Sequence, residues 1–369
     1  MNQFAITNTN HKNLDGLRAI GILAVIATHF FWRFANVLFC WVSIDLLFAL
    51  SGLLITGILI ETKEDPRYFQ KFYMRRVLRI FPLYYLLIIC FTIYIYFITD
   101  HPSAFQDYKD HLITYYTYTQ NWSFILNGVP AEGHLHHTWS LAVDEQIYLV
   151  WPLIIWLCKT RKQLMWFCGG LLVFSLLFRI GYIIWWNDHP GPNPFPFFFH
   201  TLCRLDSFGA GSFLFCILKF HPKWLNRTRM LWLSLITFSL LVVFAILDNT
   251  TYFTRFYMSN FGITVAGIHF TTWLYFGITK EFKLLNAIWG SRLLVYIGKI
   301  SYSIYVYHLF LYNLLMPKLT GWLYNHINSG VLLTATLICL LITMVTSIAS
   351  YHFIEKPIIR LKKRFSYSL

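Results

Sequence analysis

Six polar side chains sit inside runs that are otherwise apolar: His29, Asp45, Glu145, Arg204, Asp206 and His308. A charged group at mid-bilayer costs roughly 2.5–3.5 kcal/mol on insertion scales, so it normally faces a bundle interior or a wet cavity. Imidazole suits proton transfer near neutral pH. A carboxylate beside it either orients the ring or acts as a base itself. Arg18 joins the set from the other end of the first run. Arg18 and His29 are 11 residues apart, roughly 1100° of helical rotation, which returns to within ~20° of the same face after ~16 Å. One helix face thus presents a guanidinium, suited to phosphate, and an imidazole deeper in. A phosphate-bearing donor on one side and a proton acceptor further along is the chemistry of group transfer through a membrane.

The elements that must hold these groups follow from composition. Of 369 residues, 57% are hydrophobic, 20% aromatic and only 12% charged, about half the ~25% charge of a soluble domain. A disordered chain, a basic nucleic-acid-binding domain and a soluble enzyme are all excluded. Apolar stretches of membrane-spanning length run over Leu14–Phe34, Val37–Ile60, Ile80–Ile98, Thr138–Cys158, Leu164–Trp186, Phe195–Leu218, Met230–Leu247, Phe256–Thr279, Leu293–Met316 and Val331–Ile354. The connections on the side of the termini hold 22 Lys and Arg, and the opposite ones hold four, Arg33, Lys109, Arg255 and Lys318. That bias predicts both termini in the cytoplasm. The expected fold is therefore all-α, a polytopic membrane helix bundle of about ten transmembrane helices. With alternating directions, the six polar groups fall at a common level, about 10–16 Å below the outer boundary, which points to one shared site. The seven cysteines lie in or beside the spans without CxxC spacing and read as packing residues. His134, His136 and His137 lack a carboxylate at ligand spacing, so no metal site is expected.

At this point the chain resembles a known family. Leu14-Asp15-Gly16-Leu17-Arg18-Ala19-Ile20, with His29 closing an Arg-x10-His spacing, is similar to the first-span motif of acyltransferase family 3. Ser43-Ile44-Asp45-Leu46-Leu47-Phe48-Ala49-Leu50-Ser51-Gly52 resembles the second-span pattern, and Arg75-Arg76-Val77-Leu78-Arg79-Ile80-Phe81-Pro82 resembles the family's arginine segment. His137-Thr138-Trp139-Ser140-Leu141-Ala142-Val143-Asp144-Glu145, Ser301-Tyr302-Ser303 through His308, and Glu355-Lys356-Pro357 follow in order. Leu47, Leu53 and Ile147 stand where the family often has Phe. These families are bacterial integral membrane enzymes that O-acylate lipopolysaccharide, capsule, exopolysaccharide, Nod factor and macrolides.

The resemblance implies one transmembrane acyltransferase domain over 1–369, in a bacterial inner (cytoplasmic) membrane; no appended soluble hydrolase domain is expected, which is a departure from part of the family. It implies acyl-CoA, commonly acetyl-CoA, as co-substrate, no permanently bound cofactor, and a hydroxyl acceptor such as surface polysaccharide or lipopolysaccharide. His29 is the expected base, Asp45 or Glu145 orients it, and Glu145 is the alternative base. Arg75, Arg76 and Arg79 would hold coenzyme A phosphates, with Arg18 further along the channel. Trp139, Ser140, Ser301 and Tyr302 would line the pocket, together with Arg204, Asp206 and His308. A transporter or flippase of a lipid-linked sugar is the competing reading, since it too needs buried charges; its paired half-repeats with broken helices are not evident.

Overall fold

The computed structural model describes residues 12–32, 39–326 and 329–367; Arg33, Phe34 and Val37 lie outside them. Ten long helices run through the described residues: α1 (Lys12–Phe30), α2 (Ser43–Glu61), α3 (Tyr68–Ile93), α4 (Thr138–Leu157), α5 (Arg161–Asp188), α6 (Leu205–Phe220), α7 (Arg227–Asp248), α8 (Ile263–Thr279), α9 (Arg292–Tyr324) and α10 (Val331–Ser350). Among the described residues there is no strand. Nine helices there are long and apolar enough to cross a membrane. The tenth expected span is α1, whose 19 residues include Asp15, Arg18 and His29, which lower its apolar character.

Burial sorts the helices into an inner and an outer set. Most of α2, α6 and α8 is buried, whereas α5 and α7 turn large apolar side chains outward, among them Trp166, Leu177, Leu235 and Ile246. Helices that expose Leu and Trp in this way have hydrocarbon as their solvent, so the molecule is a polytopic all-α bundle. At its centre α6 packs on α2, α5 and α8, while α1 packs between α9 and α2. Small residues set the closest approach. A Cβ at Gly52 on α2 would collide with the Phe208 carbonyl, and one at Gly211 on α6 with that of Ala49. This is the close backbone contact that small residues permit between membrane helices.

Two elements differ from the sequence reading. The third helix begins at Tyr68 instead of near Ile80, because Tyr68 and Phe72 are buried apolar positions and Lys71 pairs with Asp65 at 2.6 Å. Arg75, Arg76 and Arg79 therefore ride on a helix and keep fixed directions. The stretch 99–137, which the sequence leaves between the third and fourth apolar runs, contains short helices at Gln106–Asp110, Leu112–Tyr116 and Gln120–Asn127. It is fastened down by Tyr84, which donates to the Tyr115 carbonyl at 2.7 Å, and by Gln120, which donates to the Thr138 carbonyl at 2.8 Å. That anchoring fixes the start of α4 and the histidines just before it.

Candidate active site

Arg18 and His29 do share a face of α1, and that face borders two different cavities. The first, about 310 Å³, is lined by the guanidinium-bearing Arg18, Arg76 and Arg79, by Asp144 and Glu145, and by Ser140, Ser301 and Tyr302. Arg18 pairs with Asp15 at 2.8 Å, and Arg76 lies over the Tyr148 ring at 5.2 Å. Ser301 donates to the Gly298 carbonyl at 2.9 Å and Tyr302 to the Ile80 carbonyl at 2.6 Å. One carboxylate oxygen of Asp144 and one of Glu145 are buried without a hydrogen-bond partner among the described residues. Three cations and two carboxylates thus face one space.

The second cavity, about 240 Å³, is lined by His29, His136 and His137 and by aromatic rings that include Trp139, Phe198 and Phe253. The His29 Nδ1 lies 2.9 Å from the Val25 carbonyl. A carbonyl only accepts, so Nδ1 carries the proton and Nε2 keeps its lone pair. His308 is oriented likewise: its Nδ1 donates to the Tyr305 carbonyl at 2.7 Å, and its Nε2 faces the His29 Nδ1 at 3.4 Å. The His137 ring lies 4.7 Å from the His308 ring, centre to centre. Outside the spans, burial pushes the His137 pKa down to about 3, and that of His136 downward as well.

Ile44 and Tyr305 line both cavities and so form the wall between them. The Tyr305 hydroxyl donates to the His137 carbonyl at 2.8 Å and touches the Ser140 hydroxyl. Ser140 therefore faces the cation-lined space, while its neighbour Trp139 faces the histidine-lined one.

The common level of polar groups resolves into separate arrangements. Asp45 does not orient His29: its Oδ1 accepts from Arg204 at 2.9 Å and from Ser207 at 2.7 Å. Asp206 pairs with Arg179 at 2.8 Å, and Arg179 is further held by the Asn260 carbonyl and Thr264. Neither Asp45, Arg204 nor Asp206 lines either cavity; they cross-link α2, α5, α6 and α8. Glu145 lies with the arginines, away from His29. Arg75 does not line the cation-lined cavity; it donates to the carbonyls of Lys362 and Phe365 at 3.4 and 3.3 Å and lies over Tyr367 at 4.9 Å. It clasps the C-terminal segment, which Ser303 also holds by donating to Glu355.

Three residues of this region carry a signal that the sequence reading does not use. Arg179 breaks an apolar run just as Arg204 does and meets the same criterion. Asp144 and Tyr305 lie within the motif segments themselves, and His137 is weighed there only as a metal ligand.

A family model described as an acyltransferase domain matches residues 11–352. The chain belongs to acyltransferase family 3. Among its curated relatives, the peptidoglycan O-acetyltransferase OatA of Listeria monocytogenes is 28% identical over 94% of this chain and 55% of its own length. The putative peptidoglycan O-acetyltransferase YrhL of Bacillus subtilis is 28% identical over 94% of this chain and 54% of its own. The O-acetyltransferase OatA of Staphylococcus aureus is 27% identical, over 94% and 56%. This acyltransferase chain thus spans about half the length of the curated relatives it matches. No solved structure matches it.

Proposed function

We propose that this acyltransferase moves an acetyl group from acetyl-CoA, entering from the cytoplasm, to a hydroxyl of a cell-surface glycan in the bacterial envelope. The observation that carries the reading is the pair of adjoining cavities on one face of α1. One offers Arg18, Arg76 and Arg79 to the donor's phosphates; the other offers the His29 imidazole. The excess of Lys and Arg on the side of the termini supports a cytoplasmic donor side. The relatives' names support a cell-wall glycan as acceptor.

In this reading the diphosphate and 3′-phosphate of the donor rest on the guanidinium groups, which bind phosphate through charge-assisted hydrogen bonds. The pantetheine arm reaches along α1, past Tyr305 and Ile44, over the ~16 Å that separates Arg18 from His29 on a helix. The acceptor hydroxyl gives its proton to His29 Nε2 as its oxygen bonds the acyl carbon. The C–S bond then breaks, and the leaving thiolate takes the proton back, so the products are the O-acyl ester and free thiol. Asp144 and Glu145 face the same space as the arginines.

The test is sidedness in proteoliposomes. Acetyl-CoA on the side of the termini, with glycan on the opposite side alone, is expected to support transfer. Transfer only when both substrates share one side would overturn the through-membrane route.

A further inference from the structure

His137 has no part in the mechanism above, although its ring lines the same cavity as His29. The residue is buried, 2% exposed, and fixed at three points. Its Nε2 lies 3.1 Å from the Val306 carbonyl, so that nitrogen carries the proton. Its own carbonyl accepts from Tyr305 at 2.8 Å. The Tyr305 ring stands across it at 5.4 Å, centre to centre. With Nε2 committed, Nδ1 holds the lone pair, and that atom is buried with no hydrogen-bond partner among the described residues. Buried polar atoms are almost always bonded, and one that is not calls for an explanation. The described groups around the ring do not supply a donor. His308 gives its only proton, on Nδ1, to the Tyr305 carbonyl, and that of His29 goes to Val25 and toward His308. His136 directs its Nε2 at the Pro130 carbonyl. Burial, with His29 and His136 beside it, keeps His137 neutral at physiological pH.

We propose that His137 Nδ1 accepts a hydrogen bond from a second hydroxyl of the acceptor, so that the outer cavity grips a polyol at two points. One hydroxyl reacts at His29 Nε2, and a neighbouring one is held by His137. The acceptor class that fits is a sugar or another molecule with hydroxyls on adjacent carbons. This deepens the reading above and rests on it. His137 acts as an orienting group and takes no proton. Its loss therefore falls on acceptor binding, while loss of His29 falls on turnover.

The experiment uses membranes carrying the full chain, labelled acetyl-CoA, and de-O-acetylated envelope glycan titrated as acceptor. His137→Leu and His137→Asn both lose the bond to Val306, but the Asn side-chain oxygen stands near the place of Nδ1 and still accepts. The Leu variant is expected to raise the acceptor KM roughly tenfold, the loss of about one good hydrogen bond, with the acetyl-CoA KM unchanged. The Asn variant is expected to recover most of that loss, and both are expected to melt alike. An unchanged acceptor KM in the Leu variant overturns the proposal. So does an Asn variant as impaired as Leu, because the damage would then come from the Val306 anchor. If unmodified membranes transfer no acetyl group to the glycan, the function reading itself falls, and this inference with it.

Discussion

At the scale of single residues, the bonds around His29 leave one nitrogen for chemistry. With Nδ1 given to Val25 and His308, Nε2 alone can take a proton. His29→Ala is expected to lower turnover by about 10²–10⁴-fold, the usual weight of a general base, with insertion and yield unchanged; radiolabel transfer in membranes checks both. The arginines separate in the same way. Arg76→Gln and Arg79→Gln are each expected to raise the acetyl-CoA KM about tenfold, and added salt should weaken donor binding in the unmodified protein. Arg75→Gln should leave that KM within about twofold, since Arg75 is committed to the C-terminal carbonyls; its effect should appear as faster proteolysis of the segment after Glu355. Sequence spacing put Arg18 and His29 on one face because both lie on one helix, where phase is arithmetic. It could not reveal that Asp45 belongs to Arg204 and Asp206 to Arg179. Those partners lie on different helices, and equal depth is met as well by several separate pairs as by one site.

At the scale of elements, the contact between α2 and α6 admits no side chain at Gly52 or Gly211. Gly52→Val should part the two helices and strain the Asp45–Arg204 pair, costing about 1–3 kcal/mol or more, read as a lower melting temperature in detergent. The anchored segment 99–137 adds a pH term. Burial lowers the His134 and His137 pKa values from the usual 6.5 to about 4 and about 3. The unfolded chain therefore binds their protons below about pH 6.5 while the folded one does not, and stability falls as pH drops through that window. The slope is at most about 1.4 kcal/mol per pH unit for each histidine. Melting between pH 7.5 and 5 should show the decline, and His134→Phe, which suits the Phe91 and Phe105 rings beside it, should flatten it. The number and order of the long helices were legible from apolar run length. The early start of α3 was not, because its first turns are amphipathic and their buried face depends on what packs there.

At the scale of the whole molecule, two chambers must communicate for the proposed reaction to occur. Ile44→Trp, which thickens the wall, is expected to cut transfer at least about tenfold while acetyl-CoA binding stays within about twofold; equilibrium binding and transfer measured on one preparation separate the two. Helical phase put Arg18 and His29 on one face of α1, but it could not show that this face borders two cavities. That division rests on Tyr305, whose hydroxyl is fixed by the backbone carbonyl of His137, just before α4, a contact between distant segments.

The wall has a further consequence for the cell. A conduit that stood open to a thioester arm at all times would also admit water, and with water an ionic leak. On the proposed route, Ile44 and the tethered Tyr305, standing between the chambers, would resist the flow of protons down their electrochemical gradient in the idle protein, as apolar constrictions do in gated pores. During each turnover the donor's own slender arm would serve as the stopper. Acyl groups could then be exported without discharging the energised membrane that the cell depends on.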